Sequence, residues 1–336
     1  MEKLSEELWK EIKFHQKLPL IDHTQVSGKG NGFNDRLSFE IDRVLKTKEE
    51  DFLGRSKFKT IYLRNLAHRA DPSLSRERKF TESIKFENCT DNFINTILIY
   101  SQRSHYRNDL TVISRTIGNW VKDLVYNGRV IIEIVSWYTN DSKQFYGFEL
   151  IPLNINNCKI NRKNILFTAL KNGEKEKIKI PKSKCIIIEF PNELGGYKEY
   201  SRKSKKIEKL GKDNLLNLEN PKESLEYSKN WDKQFDKIIS DWGWMNRREN
   251  ISDFLYAYQL LNFNNSAIQC CYACIDAFKY LVSLISSKLN ENATFEISGF
   301  LGKNFYKELI DKFTQDQLSL EEVFNANNNS VLLDHT

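Results

Sequence analysis

The chain has 336 residues, 29% of them charged and 40% hydrophobic, with a formal net charge of +6 and a pI near 8.8. This balance is ordinary for a soluble globular protein and gives enough chain for one large domain or two medium ones, each with a real core. The mild positive charge fits a nucleic-acid partner and equally a protein with neutral partners.

Met1, Glu2, Lys3, Glu6 and Glu7 open the sequence with charges where a signal peptide needs an apolar core, which points to the cytoplasm. Residues 3–16 have the spacing of a short amphipathic helix, with Leu4, Leu8, Ile12 and Phe14 near one side. The glycine-dense stretch 27–32 leads into a helical pattern from Asp35, but its spacing does not match a phosphate-binding loop and it reads as a surface loop. Residues 58–63 are expected to form a strand. Asp71-Pro72 resembles a nuclease Pro-Asp motif in reverse order, and no Glu-x-Lys follows on a strand, since Val135 and Ile151 stand two residues after Glu133 and Glu149.

A helix is expected over 90–103, capped by Thr90 or Asp91. The loop Arg103, Ser104, His105, Tyr106, Arg107 is the densest mix of Arg, His and aromatic in the chain. It reads either as a grip on phosphates, with forked arginines and Tyr106 as a stacking face, or as a solvated helix–helix turn.

The clearest pattern runs from 108 to 190. Leu110, Ile113, Ile117, Trp120, Val121, Leu124 and Val125 recur at helical spacing, and Gly128 stands where a left-handed C-cap would fall. The β-branched run 130–135 predicts a strand covered on both faces. Residues 145–153 continue as an extended segment whose Pro152 suits a sheet edge. Strands are expected at 165–170 and 185–190, with Asn172-Gly173 as a hairpin turn.

From Lys198 to Lys212 the chain is strongly basic and almost without aliphatics, which marks a domain boundary. Arg202, Lys203, Lys205, Lys206 and Lys209 within it are candidate phosphate contacts, against the plainer reading of a solvated linker. Beyond it, Trp231, Trp242 and Trp244 cluster as a core or partner-binding anchor. Two helices, 250–262 and 266–288, are expected to form an αα-hairpin broken at Asn264-Asn265. Gln269, Asp276 and Lys279 interrupt the apolar run 266–286, which reads as a core helix and not a membrane span. Of the six cysteines, Cys271 and Cys274 make a C-x-x-C inside a helical pattern with no second pair or nearby histidine, so core packing is preferred to metal or redox chemistry. No metal or cofactor is expected. Ser319 and Glu322 form a capping box for a last short helix.

These elements predict an α+β fold, with a central mixed or antiparallel sheet and flanking helices over 1–196. A basic linker over 197–220, a helical domain over 221–325 and a frayed tail over 326–336 complete the expected order. Leu124 to Gly128, the strand 130–135, Glu149-Leu150-Ile151-Pro152-Leu153, and Ile180-Pro181 followed by 185–190 resemble the wing region of phage portal proteins. The resemblance implies a non-enzymatic, ring-forming assembly protein that contacts double-stranded DNA through surface charge. The long stem helices of that family are not found past Phe190. The alternative is a cytoplasmic effector or regulatory subunit of an anti-phage conflict system, nuclease-like or acting through a partner protein, with Glu133 or Glu149 in its site.

Overall fold

The computed structural model describes residues 57–74, 77–101, 109–138, 144–171, 174–215, 252–299 and 301–328. Their architecture is α+β, divided into two compact units, one formed within residues 131–187 and one within 53–130 together with 188–336. Among the described residues the chain leaves the second unit at Val130 and returns to it at Ile188, so the first is inserted between its two parts.

The larger unit is mainly helical. It contains α1 (Lys57–Ala70), α2 (Glu77–Ser83), β1 (Ile84–Glu87), α3 (Asp91–Tyr100) and α4 (Thr111–Asn127), then α5 (Gly196–Leu215), α6 (Asp253–Leu289), β8 (Thr294–Ile297), α7 (Phe305–Thr314) and α8 (Leu320–Asn328). The long helix α6 is its axis, packed by α1, α3, α4, α7, α8 and β8. Its apolar positions Leu261, Phe263, Ile268, Phe278, Leu281 and Ile285 are buried, together with Cys270, Cys271 and Cys274. By length and composition α6 could cross a membrane, but 56% of its apolar window is buried within the protein. It packs as the core helix the polar interruptions implied.

Two expectations change here. Residues 58–63 belong to helix α1, not to a strand, because α1 packs along α4 and α6 and that burial overrides local β propensity. The expected hairpin at Asn264-Asn265 is instead the middle of the continuous 37-residue α6. Asparagine is a poor helix interior residue because its amide competes for backbone bonds, yet here Asn264 is fully buried and accepts a hydrogen bond from Arg69 Nε at 3.1 Å. Asn262 instead donates to the Tyr258 carbonyl one turn back.

Other local signals hold. Thr90 caps α3, accepting from Phe93 N. At the start of α4 the N-cap position is Leu110, without a side-chain cap, and Asp109 just before it accepts from the Thr111 backbone and hydroxyl. Gly128 ends α4 at φ 71° with its N–H on the Leu124 carbonyl. Ser319 and Glu322 bond reciprocally at the start of α8. A two-stranded antiparallel sheet, β1 with β8, pairs Phe86 with Phe295. It is not legible in the sequence, because its strands are four residues long and come from distant parts of the chain.

The inserted unit is built of strands. After β2 (Arg129–Tyr138) and β3 (Phe145–Leu153) come β4 (Cys158–Ile160), β5 (Asn164–Lys171), β6 (Glu174–Pro181) and β7 (Cys185–Glu189). They form two three-stranded sheets, in the orders β3-β2-β7 and β4-β5-β6. Central β2 is buried from Val130 to Trp137, as its unbroken apolar run requires. Pro152 lies opposite Ile132 on β3, an edge strand of the sheet, the position in which a proline is tolerated. In the second sheet Ile165, Phe167, Ala169, Ile178 and Ile180 are buried on one face, while Lys159, Lys177 and Lys179 are exposed on the other. Residues 172–173, the expected hairpin turn, lie outside the described residues, but Lys171 pairs with Glu174 as a two-residue connection demands.

Candidate nucleic-acid interface

The basic stretch 198–212 lies in helix α5, Gly196–Leu215, and its first turns are docked on the helical unit. Docking starts at the end of α4, where the last-turn carbonyls have no partner within their own helix. The Tyr200 hydroxyl lies 2.8 Å from the Val125 carbonyl oxygen and 2.7 Å from that of Tyr126, so its single proton is shared between the two. The Tyr200 ring sits 4.9 Å from that of Phe190, whose N–H donates to the Gly128 carbonyl at 2.8 Å. Gly128 is needed twice: its φ of +71° is left-handed, and a Cβ there would stand 2.0 Å from Tyr200 Cδ1. Arg129 adds a third tie, with Nη2 2.6 Å from Glu189 Oε1 and its guanidinium 3.7 Å above the Tyr197 ring.

Once the helix is held, its spacing sorts the basic residues. Lys198, Arg202, Lys205 and Lys206 are exposed. At about 100° per residue they fall within about 100° of arc, and position 209 continues the same row. Arg202 is forked onto Glu199, with distances of 2.8 and 2.5 Å, which together with neighbouring Lys203 holds the Glu199 carboxyl below its ordinary range. Lys203 departs from the expected set. Its side chain is 6% exposed, beside Glu199 at 3.7 Å, on the inner side of the helix and out of reach of a ligand on the exposed row. Arg103, His105, Tyr106, Arg107, Trp231, Trp242 and Trp244 lie outside the described residues.

The carboxylates weighed for catalysis are placed as follows. Asp71 is fully buried and engaged: Oδ1 accepts from Ser73 N at 2.8 Å and Ser73 Oγ at 2.7 Å, and Oδ2 pairs with Lys122 Nζ at 2.9 Å. Its role is to close the turn after α1 against α4, where Gly118 leaves it room. Glu133 faces Ile151 across β2 and β3, and Glu149 faces Val135, so the two carboxylates are diagonal neighbours on one sheet face. Glu133 is fully buried and, after burial itself, is the main influence raising the Cys185 thiol to about 12. Burial likewise pushes the thiols of Cys271 and Cys274 well above the usual range, leaving them protonated and inert. Among the described residues no group of three or more His, Cys, Asp or Glu side chains could hold a metal ion.

Neither a protein-family model nor a curated protein matches the chain.

Sequence reasoning missed the docking pair Gly128 and Tyr200. The glycine was legible as a cap, but that its open side receives a distant ring was not. It also missed the basic character of 154–184, which holds nine Lys and Arg against two Glu, a formal +7 where the whole chain has +6. The signal was the alternation of lysine with isoleucine over 177–180.

Proposed function

We propose that this is a non-enzymatic assembly protein of phage or phage-derived origin that contacts the phosphates of double-stranded DNA, working in the cytoplasm as a homo-oligomer or within a larger complex. One observation carries the reading: the exposed row of Lys198, Lys205 and Lys206 on a helix whose N-terminal turns are pinned by Tyr200, so cations are presented from a fixed support. Pinning matters because a free lysine linker would lose conformational entropy on binding that a docked helix has already given up. The residues resembling a portal wing support it too, since they fall on the end of α4, on β2, on β3, and on the β6 end with β7. The Lys198→Gln/Lys205→Gln/Lys206→Gln variant should weaken duplex binding and flatten its salt dependence by about 0.9 log units for each phosphate no longer neutralised. An unchanged slope would remove the row from the interface, and a strict monomer at all concentrations would remove the assembly role.

A second reading, a nuclease-like effector of a conflict system, draws on the diagonal Glu133 and Glu149. Metal-dependent cleavage of DNA or RNA, abolished in Glu149→Gln, would favour it.

A further inference from the structure

The second sheet of the inserted unit carries a cationic face that the helical row does not explain. Register places Lys159 on β4 and Lys179 on β6 on either side of Leu166 on β5, and Lys177 beside Thr168. Strands stand about 4.8 Å apart, so the two flanking lysines are rooted about 10 Å apart, and Lys177 and Lys179 about 7 Å apart along their strand. Arg162 and Lys163 in the β4–β5 turn and Lys182 just past β6 extend the patch, and the Lys182 N–H donates to the Lys163 carbonyl at 3.1 Å, joining the two connections. All but half-buried Lys182 are exposed. None of the six forms an ion pair among the described residues. Both glutamates of the segment, Glu174 and Glu176, occupy the opposite parity of β6, with Ile178 and Ile180.

We propose that this face is a second binding surface for the phosphate backbone of a nucleic-acid duplex. The charge says polyanion. The lining decides which one: the outward positions between the lysines are Asn164, Leu166 and Thr168, with no aromatic ring on which a single-stranded base could stack. An anionic membrane fits less well, because every exposed large hydrophobic side chain among the described residues, such as Phe254, Leu255 or Tyr280, belongs to the helical unit and none to this one. A duplex needs only cations at backbone spacing, and about 7 Å spans two base-pair rises of about 3.4 Å each along the helix axis. The inference takes its ligand from the proposed function but stands on different residues.

The test uses the full chain and a labelled duplex of about 30 base pairs and arbitrary sequence, titrated at about 50 and 200 mM salt. Each neutralised phosphate accounts for about 3.5-fold of the fall in affinity over that range. Relative to wild type, Lys159→Gln/Lys177→Gln/Lys179→Gln should therefore show a salt-induced fall smaller by up to about 40-fold, and the Arg triple at the same positions should restore it. The restoration excludes a folding defect as the cause. An effect confined to this triple would leave the sheet face standing and overturn the α5 row. An effect confined to the α5 variant would do the reverse, leaving these lysines as guards of the two edge strands. Equal binding of single strands, or binding to anionic vesicles with no duplex binding, would overturn the duplex assignment.

Discussion

Replacing Gly128 by Ala tests the joint on which the basic helix hangs. Two costs arise at one position. The left-handed φ of +71° costs a residue with a Cβ about 1–2 kcal/mol. The new methyl would stand 2.0 Å from Tyr200 Cδ1, and because Tyr200 is 3% exposed and held at its hydroxyl, its ring cannot swing clear without breaking the hydrogen bonds to Val125 and Tyr126. Overpacking of this kind costs about 1–3 kcal/mol, so the total should be about 2–5 kcal/mol. The two parts separate in a double-mutant cycle. In a Tyr200→Ala background the clash is gone, and Gly128→Ala should cost only the backbone strain, leaving a coupling of about 1–3 kcal/mol. Urea unfolding followed by far-UV circular dichroism gives all four values, and hydrogen exchange should show amides of 196–206 losing protection in the single variant. A cost below about 0.5 kcal/mol for Gly128→Ala, or full additivity with Tyr200→Ala, would refute the account of how α5 is docked.

Trp120→Ala should destabilise the helical unit by about 3–5 kcal/mol, since the ring is 6% exposed and 6.0 Å from Phe278; a value below about 0.5 kcal/mol in the same urea assay would contradict that packing. With Ellman's reagent the native protein should titrate Cys89 and Cys158, which are partly exposed, while Cys185, Cys270, Cys271 and Cys274 react only on unfolding; fast reaction of Cys271 or Cys274 would mean the core is open there. Glu193 is held below its ordinary carboxylate range by a backbone N–H and then by Lys303, whose Nζ is 3.0 Å away. A depressed folded pKa gives stability that is present above the unfolded value, about 4.3, and is lost as pH falls through the folded value. Wild type should therefore exceed Glu193→Gln in stability near neutral pH and converge on it as the carboxylate is protonated in acid; a gap that widens on acidification would reverse the assignment.

Much of the local structure was written in neighbouring residues. The helical spacing from Leu110 to Val125, the glycine at 128, the β-branched run of β2 and the Ser319–Glu322 box each combine a propensity with a terminus that only one geometry satisfies. Fold class followed from these. The basic stretch was legible as charge but not as a helix, because a row of lysines without aliphatics has no apolar face to announce its partner. Its anchor, Tyr200, is one aromatic whose place depends on a glycine far back in the chain.

What the tertiary structure alone decided has one physical origin: burial against distant elements outweighs local preference. It makes 58–63 part of a helix, carries α6 straight through Asn264 by giving that amide to Arg69, and turns Lys203 inward while its neighbours stay in solvent. It also sets the register of β4, β5 and β6. Sequence supplied nine cations between 154 and 184; pairing of the strands put Lys159, Lys177 and Lys179 on one face and both glutamates on the other parity, because side chains alternate and opposite residues share a side.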